Sequence, residues 1–178
     1  MNHQTHFLVA IDFTQQSESA LQEAILLAIP SQSKISLIGV VESSGFFSRV
    51  FGEEANANIN LLKEKTKIKL EALASKVAER LGSTVDALVA YGKVYDEIVD
   101  ACELIGADYI VMGTEGEPNK LKSIMGSNAN RVIKMSKVPV ITLKGKAAKQ
   151  CKKILLPIDL RKSTKEKVSN AVEFAKIH

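Results

Sequence analysis

The order in which apolar segments follow one another constrains this chain more than any other feature. Residues 7–11 form a continuous apolar run of strand length that ends at Asp12, and such a run is typical of a parallel strand covered on both faces. Thr14 or Ser17 can cap the helix that follows, whose apolar residues recur at helical spacing as far as Pro30. The chain therefore begins with a strand followed by a helix.

Four further strand patterns continue the alternation, at residues 35–41, 85–91, 109–112 and 138–143. Helical periodicity predicts helices at residues 54–81, 95–105 and 131–135. Residues 43–52 are predicted to form a loop. The last strand starts at Val138 and ends at Leu143, and Pro139 suits a strand start or a sheet edge. Strands that alternate with helices predict an α/β protein with a doubly wound parallel sheet and helices on both faces.

Composition and charge argue against several classes of protein. The 178 residues are enough for one domain and a short additional piece. The chain has no Trp, and its formal charge of +4 is spread along helices, so nucleic acid is an unexpected partner. No stretch has the roughly 18 apolar residues of a membrane span, and no signal-like run opens the chain, so we expect a soluble cytoplasmic protein. Cys102 and Cys151 lack CxxC spacing and a nearby His, so no protein metal cluster is expected.

An internal repeat divides the chain near its end. At a constant offset of 147 residues, positions 154–160 match positions 7–13, and the apolar positions of the following helix match those of the first helix. We therefore predict a domain at residues 1–144, a linker at 145–151, and the first strand and helix of a second, incomplete domain at 152–178. One strand and one helix cannot bury their own apolar faces, so we expect this tail to pack on a neighbouring chain or on the same domain.

The segment after the fourth strand has the features of a phosphate-binding loop. It reads Gly113-Thr114-Glu115-Gly116, then nine residues, then Gly126-Ser127 at the start of a helix. Ligands of doubly wound sheets bind at the carboxyl ends of strands. Glycines allow a backbone to approach a phosphate closely, and the amides and dipole of a helix N-terminus favour an anion. Each glycine alone indicates a turn and Ser127 alone indicates a cap, but together at this place they predict phosphate binding.

This glycine pattern, with the opening residues 9–14, Tyr91-Gly92 and Val138-Pro139-Val140, closely resembles the universal stress protein family. The resemblance covers residues 6–144, and residues 152–178 are similar to the start of a second family domain. It implies a Rossmann-like, five-stranded parallel sheet of order 3-2-1-4-5 and dimers formed through the last strand. It also implies bound ATP, which is typical of members with this glycine pattern, in a tandem-domain member of the family.

The resemblance implies a set of nucleotide-binding residues. The set is Ala10, Ile11, Asp12, Val40, Val41, Met112, Gly113, Glu115, Gly116, Gly126, Ser127 and Asn128. The first three would line the adenosine end, with Val40 or Val41 against the adenine. Met112 and Gly113 would lie beside the ribose and first phosphate, and the last four would surround the remaining phosphates. Val40 and Met112 are equally expected as simple core residues, and Asp12 as a turn former.

Glu115 departs from the family pattern, in which ATP-binding members commonly have a basic residue. A carboxylate near 5 Å from a phosphate costs about 1 to 3 kcal/mol at dielectrics between those of water and of a protein surface. Lys120, Lys122 or Arg131 could compensate, a Mg²⁺ held by the phosphates could bridge the charges, or Glu115 could point to solvent. The sequence leaves these alternatives open.

No catalytic set accompanies the loop. A Walker Gly-Lys-Ser/Thr motif is missing from the sequence, and His3, His6 and His178 lie near the chain ends. We therefore expect a stress-response module that binds ATP, ADP or AMP, with at most slow hydrolysis, in which the nucleotide changes the loops at 43–52 and 117–125. The alternative is a nucleotide-free interaction protein whose site Glu115 has closed. A homodimer is expected through the strand at 138–143 or through residues 152–178.

Overall fold

The computed structural model describes residues 4–43, 47–114, 126–145, 153–158 and 164–177. In chain order the elements are β1 (His6–Ala10), α1 (Gln15–Ser31), β2 (Lys34–Glu42), α2 (Phe47–Leu81), β3 (Asp86–Gly92), α3 (Val94–Ile105), β4 (Tyr109–Gly113), α4 (Ser127–Met135), β5 (Val140–Leu143) and α5 (Thr164–Ile177).

The five strands form one parallel sheet in the order β3-β2-β1-β4-β5. The predicted doubly wound sheet and its strand order are therefore confirmed. β1 lies at the centre, where Phe7 is in register with Ile35 of β2 on one side and with Tyr109 of β4 on the other. All five strands point the same way, so the loops that leave their carboxyl ends meet along one edge of the sheet.

Two hydrophobic clusters cover the two faces of the sheet. Phe7 and Val9 face the cluster that contains the buried residues of α1 and α2. Leu8, between them, faces the cluster that contains the buried residues of α3 and α4. Residues 7–9 are completely inaccessible to solvent, as the unbroken apolar run predicts for a strand covered on both faces.

Helix α1 begins where the sequence indicates and ends slightly later than predicted. Thr14 is its N-cap, and the Thr14 hydroxyl accepts a hydrogen bond from the Ser17 amide. Pro30 was expected to end the helix but lies inside its last turn. The helix ends instead at Ser31, and Gln32 is its C-cap. The left-handed backbone of Gln32 directs its amide to the carbonyls of Ala28 and Ile29.

Helix α2 begins at Phe47, so the predicted loop at residues 43–52 is too long and the predicted helix start at residue 54 is wrong. The segment 47–57 contains no proline, and its single Gly52 costs a helix only about 1 kcal/mol. Leu62 was predicted to face inward but is 52% exposed. Leu70, Ala74 and Val77 of α2 are buried, and the helix packs beside Gly39 of β2 through Thr66 and Leu70.

The tail differs from the predicted strand and helix in its first part. Residues 153–158 adopt no strand, and Leu155 is 94% exposed. A strand needs a neighbour to satisfy its backbone groups, and no described strand lies beside this segment. The helical part is present as α5, whose Phe174 contacts the ring of Tyr109. The division into two domains stays a prediction.

A polar network joins the amino ends of the strands, with His6 and Ser36 buried and the Lys34 and Asp86 side chains exposed. His6 Nε2 lies 2.9 Å from the Ser36 hydroxyl, which donates to Asp86 Oδ2 at 3.4 Å, and Lys34 Nζ lies 2.8 Å from the same oxygen. The His6 amide donates to Asp108 Oδ2 at 2.8 Å. Burial, followed by the nearby Lys34 ammonium, lowers the pKa of His6 below its usual 6.5. His6 is therefore a neutral interior residue of the sheet.

This network predicts a pH-dependent stability. The unfolded chain takes up a proton at His6 near pH 6.5, whereas the folded chain does so only at lower pH, so stability is full above that pH and falls below it. We expect the urea midpoint to drop between about pH 7.5 and about pH 5.5, and to drop less in His6→Gln, which does not titrate. The hydrogen bond from Lys34 lowers the pKa of Asp86 from 3.8, so the titration of Asp86 changes the stability only at more acidic pH. Equal pH slopes in the two proteins would contradict the assignment.

Candidate functional site

A cavity of about 330 Å³ opens at the carboxyl ends of β1, β2 and β4. Its volume lies in the range of small-molecule sites, roughly 300 to 1,000 Å³. The first turns of α1 and α4 form part of its wall, together with the start of α3. The cavity therefore lies at the place in a doubly wound sheet where ligands bind.

Most of the predicted binding residues line this one cavity. They are Ala10, Ile11, Asp12, Val40, Met112, Gly113, Gly126, Ser127 and Asn128. Val41 lies on the other face of β2, because side chains alternate along a strand and its neighbour Val40 belongs with the cluster on the cavity side. Of the two valines, the structure therefore brings only Val40 to the cavity. Glu115 and Gly116 fall outside the described residues.

The floor of the cavity is apolar. Ile38, Val40, Ile98 and Met112 line it and also belong to, or pack against, the hydrophobic cluster under α3 and α4. Met112 is only 6% exposed, so it serves as a core residue and as a cavity wall at once. A flat apolar group, such as a nucleobase, would contact this floor.

The loop after β1 is organised by Asp12. Its Oδ1 accepts hydrogen bonds from the Thr14 amide at 3.0 Å and from the Thr14 hydroxyl at 2.6 Å. Between them, Phe13 has a left-handed backbone with φ of 61°, which is uncommon for a bulky residue. Asp12 is thus the turn former that its position permits, and it holds the N-cap of α1 in place at the cavity rim.

The first turn of α4 offers unsatisfied backbone donors. Gly126 is the N-cap and its amide donates to the Thr114 carbonyl, so the alternative that Ser127 is the cap is wrong. The amides of Ser127, Asn128 and Ala129 have no acceptor among the described residues, as helix geometry requires for the first turn. These three residues line the cavity. Amides in this arrangement, together with the positive end of the helix dipole, suit a phosphate or carboxylate.

Charges in the described cavity wall are acidic. Asp12 and Glu42 line it, whereas the wall has no Lys or Arg within the described part of the chain. Arg131, one candidate for offsetting Glu115, has its guanidinium 4.6 Å from the centre of the Tyr95 ring, between α4 and α3. The described residues would therefore hold an anion through amides and hydroxyls.

Gly113 is a glycine for a packing reason as well. A Cβ atom there would lie 2.8 Å from Cβ and 2.9 Å from the carbonyl carbon of Gln16, in the first turn of α1. The close approach of β4 to α1 therefore needs a residue without a side chain. This contact sets where the N-terminus of α1 meets β4 at the cavity.

Several cavity residues were absent from the predicted set. Thr14, Gln16 and Ser17 come from the first turn of α1, Val94 opens α3, and Glu42 ends β2. One signal could have found them, since each follows or ends a strand at the edge of the sheet where the glycine loop was placed. Thr114, which lines the cavity, stood inside the predicted loop, and its amide and hydroxyl both donate to the Leu143 carbonyl at 3.0 Å.

The described ranges lack two kinds of feature, a metal-binding cluster and a membrane-spanning helix. They contain no group of three or more His, Cys, Asp or Glu side chains placed to hold a metal ion. They also contain no helix with the length and apolar character needed to cross a bilayer. Burial raises the pKa of the Cys102 thiol to about 11, and Sγ donates to the Ala107 carbonyl at 3.6 Å, so this thiol is protonated at neutral pH. Cys151 falls outside the described residues.

The Gly113 contact predicts an unequal cost for two Gly→Ala changes in the sheet. We expect Gly113→Ala to lower the free energy of unfolding by about 1 to 3 kcal/mol, because the new methyl group meets α1 backbone. Gly39→Ala is the matched change, and it meets only the end of the Thr66 side chain, at 3.0 Å. Urea unfolding measures both. A cost at Gly113 no larger than that at Gly39 would contradict the close approach.

Comparison with known proteins finds relatives that match about four fifths of this chain over nearly all of their own length. Universal stress protein MJ0577 of Methanocaldococcus jannaschii is 29% identical over 153 residues, which cover 78% of this chain and 94% of that protein. The solved structure of MJ0577 matches with a TM-score of 0.71, covering 81% of this chain and 98% of that one.

Two solved structures of lower identity show the same fold. One is the Archaeoglobus fulgidus universal stress protein in complex with dAMP, 21% identical with a TM-score of 0.54, covering 81% of this chain and 100% of that one. The other is a universal stress protein in complex with cAMP, 20% identical with a TM-score of 0.51, covering 79% of this chain and 96% of that one.

The family itself is established by the extent of the match. The universal stress protein family model matches residues 4–144, which include all five strands, the cavity and both glycine positions at its rim. The chain belongs to the universal stress protein family.

Proposed function

We propose that this protein is a stress-response module that binds an adenine nucleotide, ATP or ADP or AMP, in the cavity at the carboxyl end of the sheet. The observation that carries the proposal is the meeting of two helix N-termini, those of α1 and α4, beside the apolar floor of a cavity of about 330 Å³. An apolar floor with anion-binding amides at one side fits a molecule that has a flat base at one end and phosphate at the other.

The residues present divide the cavity into two ends. Gly126, Ser127 and Asn128 would hold phosphate through backbone amides and the Ser127 hydroxyl. Val40 and Met112 would contact the base, while the Asp12 and Glu42 carboxylates would repel phosphate from their end. The nucleotide would supply no chemistry beyond its charge and shape. The dAMP and cAMP complexes of proteins with this fold support an adenine nucleotide.

Regulation, in this proposal, comes from occupancy and not from turnover. The lining residues in the described part of the chain include no His, Lys or Arg that could act as a base or a cationic clamp, and phosphoryl transfer depends on such positioning and charge stabilisation. We propose that nucleotide occupancy changes the connection between β2 and α2, at residues 43–46, and residues 117–125, and thereby changes partner binding. Any hydrolysis would be slow, and Mg²⁺ would be held through the phosphates.

Partner binding is proposed to include a homodimer. β5 ends the strand order, so its outer backbone edge has no neighbouring strand in the described sheet. An unpaired edge invites a strand from another chain. A dimer through β5, or through the exposed segment at 153–158, would bring two cavities into one assembly.

The first test of the proposal is direct binding. Titration calorimetry at two temperatures, with ATP, ADP and AMP in Mg²⁺ buffer, should show a dissociation constant of roughly 1 to 100 μM for at least one of them. Gly126→Val should weaken binding tenfold or more, because a branched side chain at the N-cap would occupy the phosphate position. Asn130→Ala changes an exposed residue of the same helix outside the cavity wall and should bind as the unchanged protein does. The absence of any heat at both temperatures, for all three nucleotides, would refute the proposal.

The acidic cavity wall favours one alternative, a nucleotide-free interaction protein. Asp12 and Glu42 already line the cavity. In this alternative Glu115, in the glycine loop, would add a third carboxylate to the site. In this alternative the site is electrostatically closed, and the function resides in partner contacts alone.

A charge change at residue 115 distinguishes the two functions. If repulsion alone closes the site, Glu115→Gln should bind ATP where the unchanged protein does not, and Glu115→Arg should bind more tightly still, by tenfold or more. Equilibrium dialysis with labelled ATP at two salt concentrations measures both, since a charge effect weakens in salt. Failure of both variants to bind would show that Glu115 is not what closes the site.

A further inference from the structure

Thr114 follows the last residue of β4 and uses each of its polar groups within the protein. Its amide and its hydroxyl both donate to the carbonyl of Leu143, each at 3.0 Å. Its own carbonyl accepts the amide of Gly126. The residue is buried, and a buried polar side chain needs partners of this kind. Thr114 is therefore bonded to two parts of the chain at once.

The first of these parts is the carboxyl end of the edge strand. Leu143 is the last residue of β5 and is in register with Gly113 of β4, the residue before Thr114. β5 pairs with β4 and ends the strand order. A parallel ladder consists of backbone bonds alone, so the Thr114 hydroxyl adds a bond that the ladder does not supply. The end of β5 is thus held by a side chain of the cavity wall.

The second part is the N-terminus of α4. Gly126 is its N-cap, and the Gly126 carbonyl accepts the Asn130 amide, which is the first bond within the helix. The amides of residues 127–129 point along the helix axis toward the cavity. The bond between Gly126 and Thr114 therefore helps to set where those three amides lie.

Apolar packing places the two parts on different faces of the sheet. Ala129 and Val132 of α4 belong to the hydrophobic cluster under α3 and α4. The Leu143 side chain packs against the cluster under α1, on the opposite face. Thr114 thus forms a polar connection between a helix of one face and a residue whose side chain packs on the other.

An anion at the cavity would act on this connection. The positive end of the α4 dipole and its free amides attract an anion, and the first turn is attracted to the anion in return. Gly126 precedes that turn, so a shift of the N-cap either breaks its bond to Thr114 or moves Thr114 with it. Because Thr114 is held by two bonds to Leu143, a shift that moves Thr114 reaches the end of β5.

We propose that Thr114 couples the phosphate end of the cavity to the edge strand, so that an anion at the first turn of α4 changes how the carboxyl end of β5 is held. The inference rests on the proposed function, since the anion is the phosphate of the nucleotide, and it supplies a physical route from occupancy to the β5 edge. Pairing at that edge would, by linkage, change nucleotide affinity by the same factor. Thr114 is a positioning residue in this role, because it acts through Gly126 and Leu143.

Three substitutions separate the hydroxyl from the rest of the residue. Thr114→Val keeps the branched shape and the amide but loses the hydroxyl, whereas Thr114→Ser keeps the hydroxyl and is the matched control. Thr114→Ala also lacks the hydroxyl, and it replaces the valine variant if circular dichroism shows that the valine variant is unfolded.

The first test needs no ligand. Hydrogen exchange of the Gly126 amide, followed by NMR, reports on its bond to Thr114. We expect Thr114→Val to speed this exchange roughly 2- to 12-fold, which is the range for the loss of one hydrogen bond, and Thr114→Ser to leave it unchanged. An unchanged rate in the folded valine variant would overturn the proposal, whether or not a nucleotide binds.

The second test follows both ends of the connection during titrations with ATP, ADP and AMP. The Gly126 amide resonance reports on the N-cap, and the Leu143 carbonyl carbon resonance reports on the bonds that this carbonyl accepts. Both should shift with the same half-saturation in the unchanged chain and in Thr114→Ser. In Thr114→Val the shift at Leu143 should fall to about half or less, because one of its two bonds is lost.

The outcomes distinguish the coupling from nucleotide binding itself. A nucleotide that shifts Gly126 in the unchanged chain but leaves Leu143 unshifted would overturn the coupling, as would an undiminished shift at Leu143 in Thr114→Val. If none of the three nucleotides shifts either resonance, the proposed function is refuted, and the exchange rate of Gly126 alone decides whether Thr114 connects the two ends.

Discussion

Residues 7–9 have no solvent-accessible surface, because β1 is bonded to a strand on each side and covered by helices on each face. This burial determines the layout of the molecule. α1 and α2 cover one face and α3 and α4 cover the other, so the chain changes face between α2 and α3. Since all strands run parallel, every crossing leaves the sheet at the same edge. The cavity is a consequence of this arrangement, because it lies between the loops that follow β1, β2 and β4.

The chemistry of the cavity comes mainly from backbone atoms, and this explains how much of it could be predicted. Glycine spacing and the strand-to-helix order placed the phosphate-binding loop, and the resemblance to the family implied a set of residues of which nine line the cavity. Val41 was misplaced in the paired assignment only because a strand buried on both faces gives no alternation by which to choose a side. Thr14 and Gln16 were missed for another reason. Their place at the cavity depends on the contact between α1 and Gly113, which joins residues far apart in the chain.

The strands and their order could be predicted, whereas several helix ends could not. Pro30 is tolerated in the last turn of α1 because the left-handed backbone at Gln32 ends the helix just beyond it. That backbone conformation is routine for glycine but not for glutamine, so the residue type at position 32 does not predict it. α2 starts before its apolar periodicity does, since a helix can extend past its packing face wherever nothing breaks it. Residues 153–158 show the converse case. Their apolar pattern matches that of β1, but a pattern forms a strand only beside another strand.

The features that this chain shares with its family and those that are particular to it therefore lie in different parts of the structure. The family frame consists of packing: a buried central strand, a glycine where two elements touch, and helix N-termini that face one cavity. Such features tolerate little variation, because each is fixed by steric contact. Charge at the rim is less constrained by packing, since Glu42 is exposed. α5 lies outside the residues that the family model matches, and its half-buried Phe174 packs against the cluster under α1. What distinguishes this protein from its relatives should thus be sought in rim charge and in the added helix, where side chains can change without disturbing the sheet.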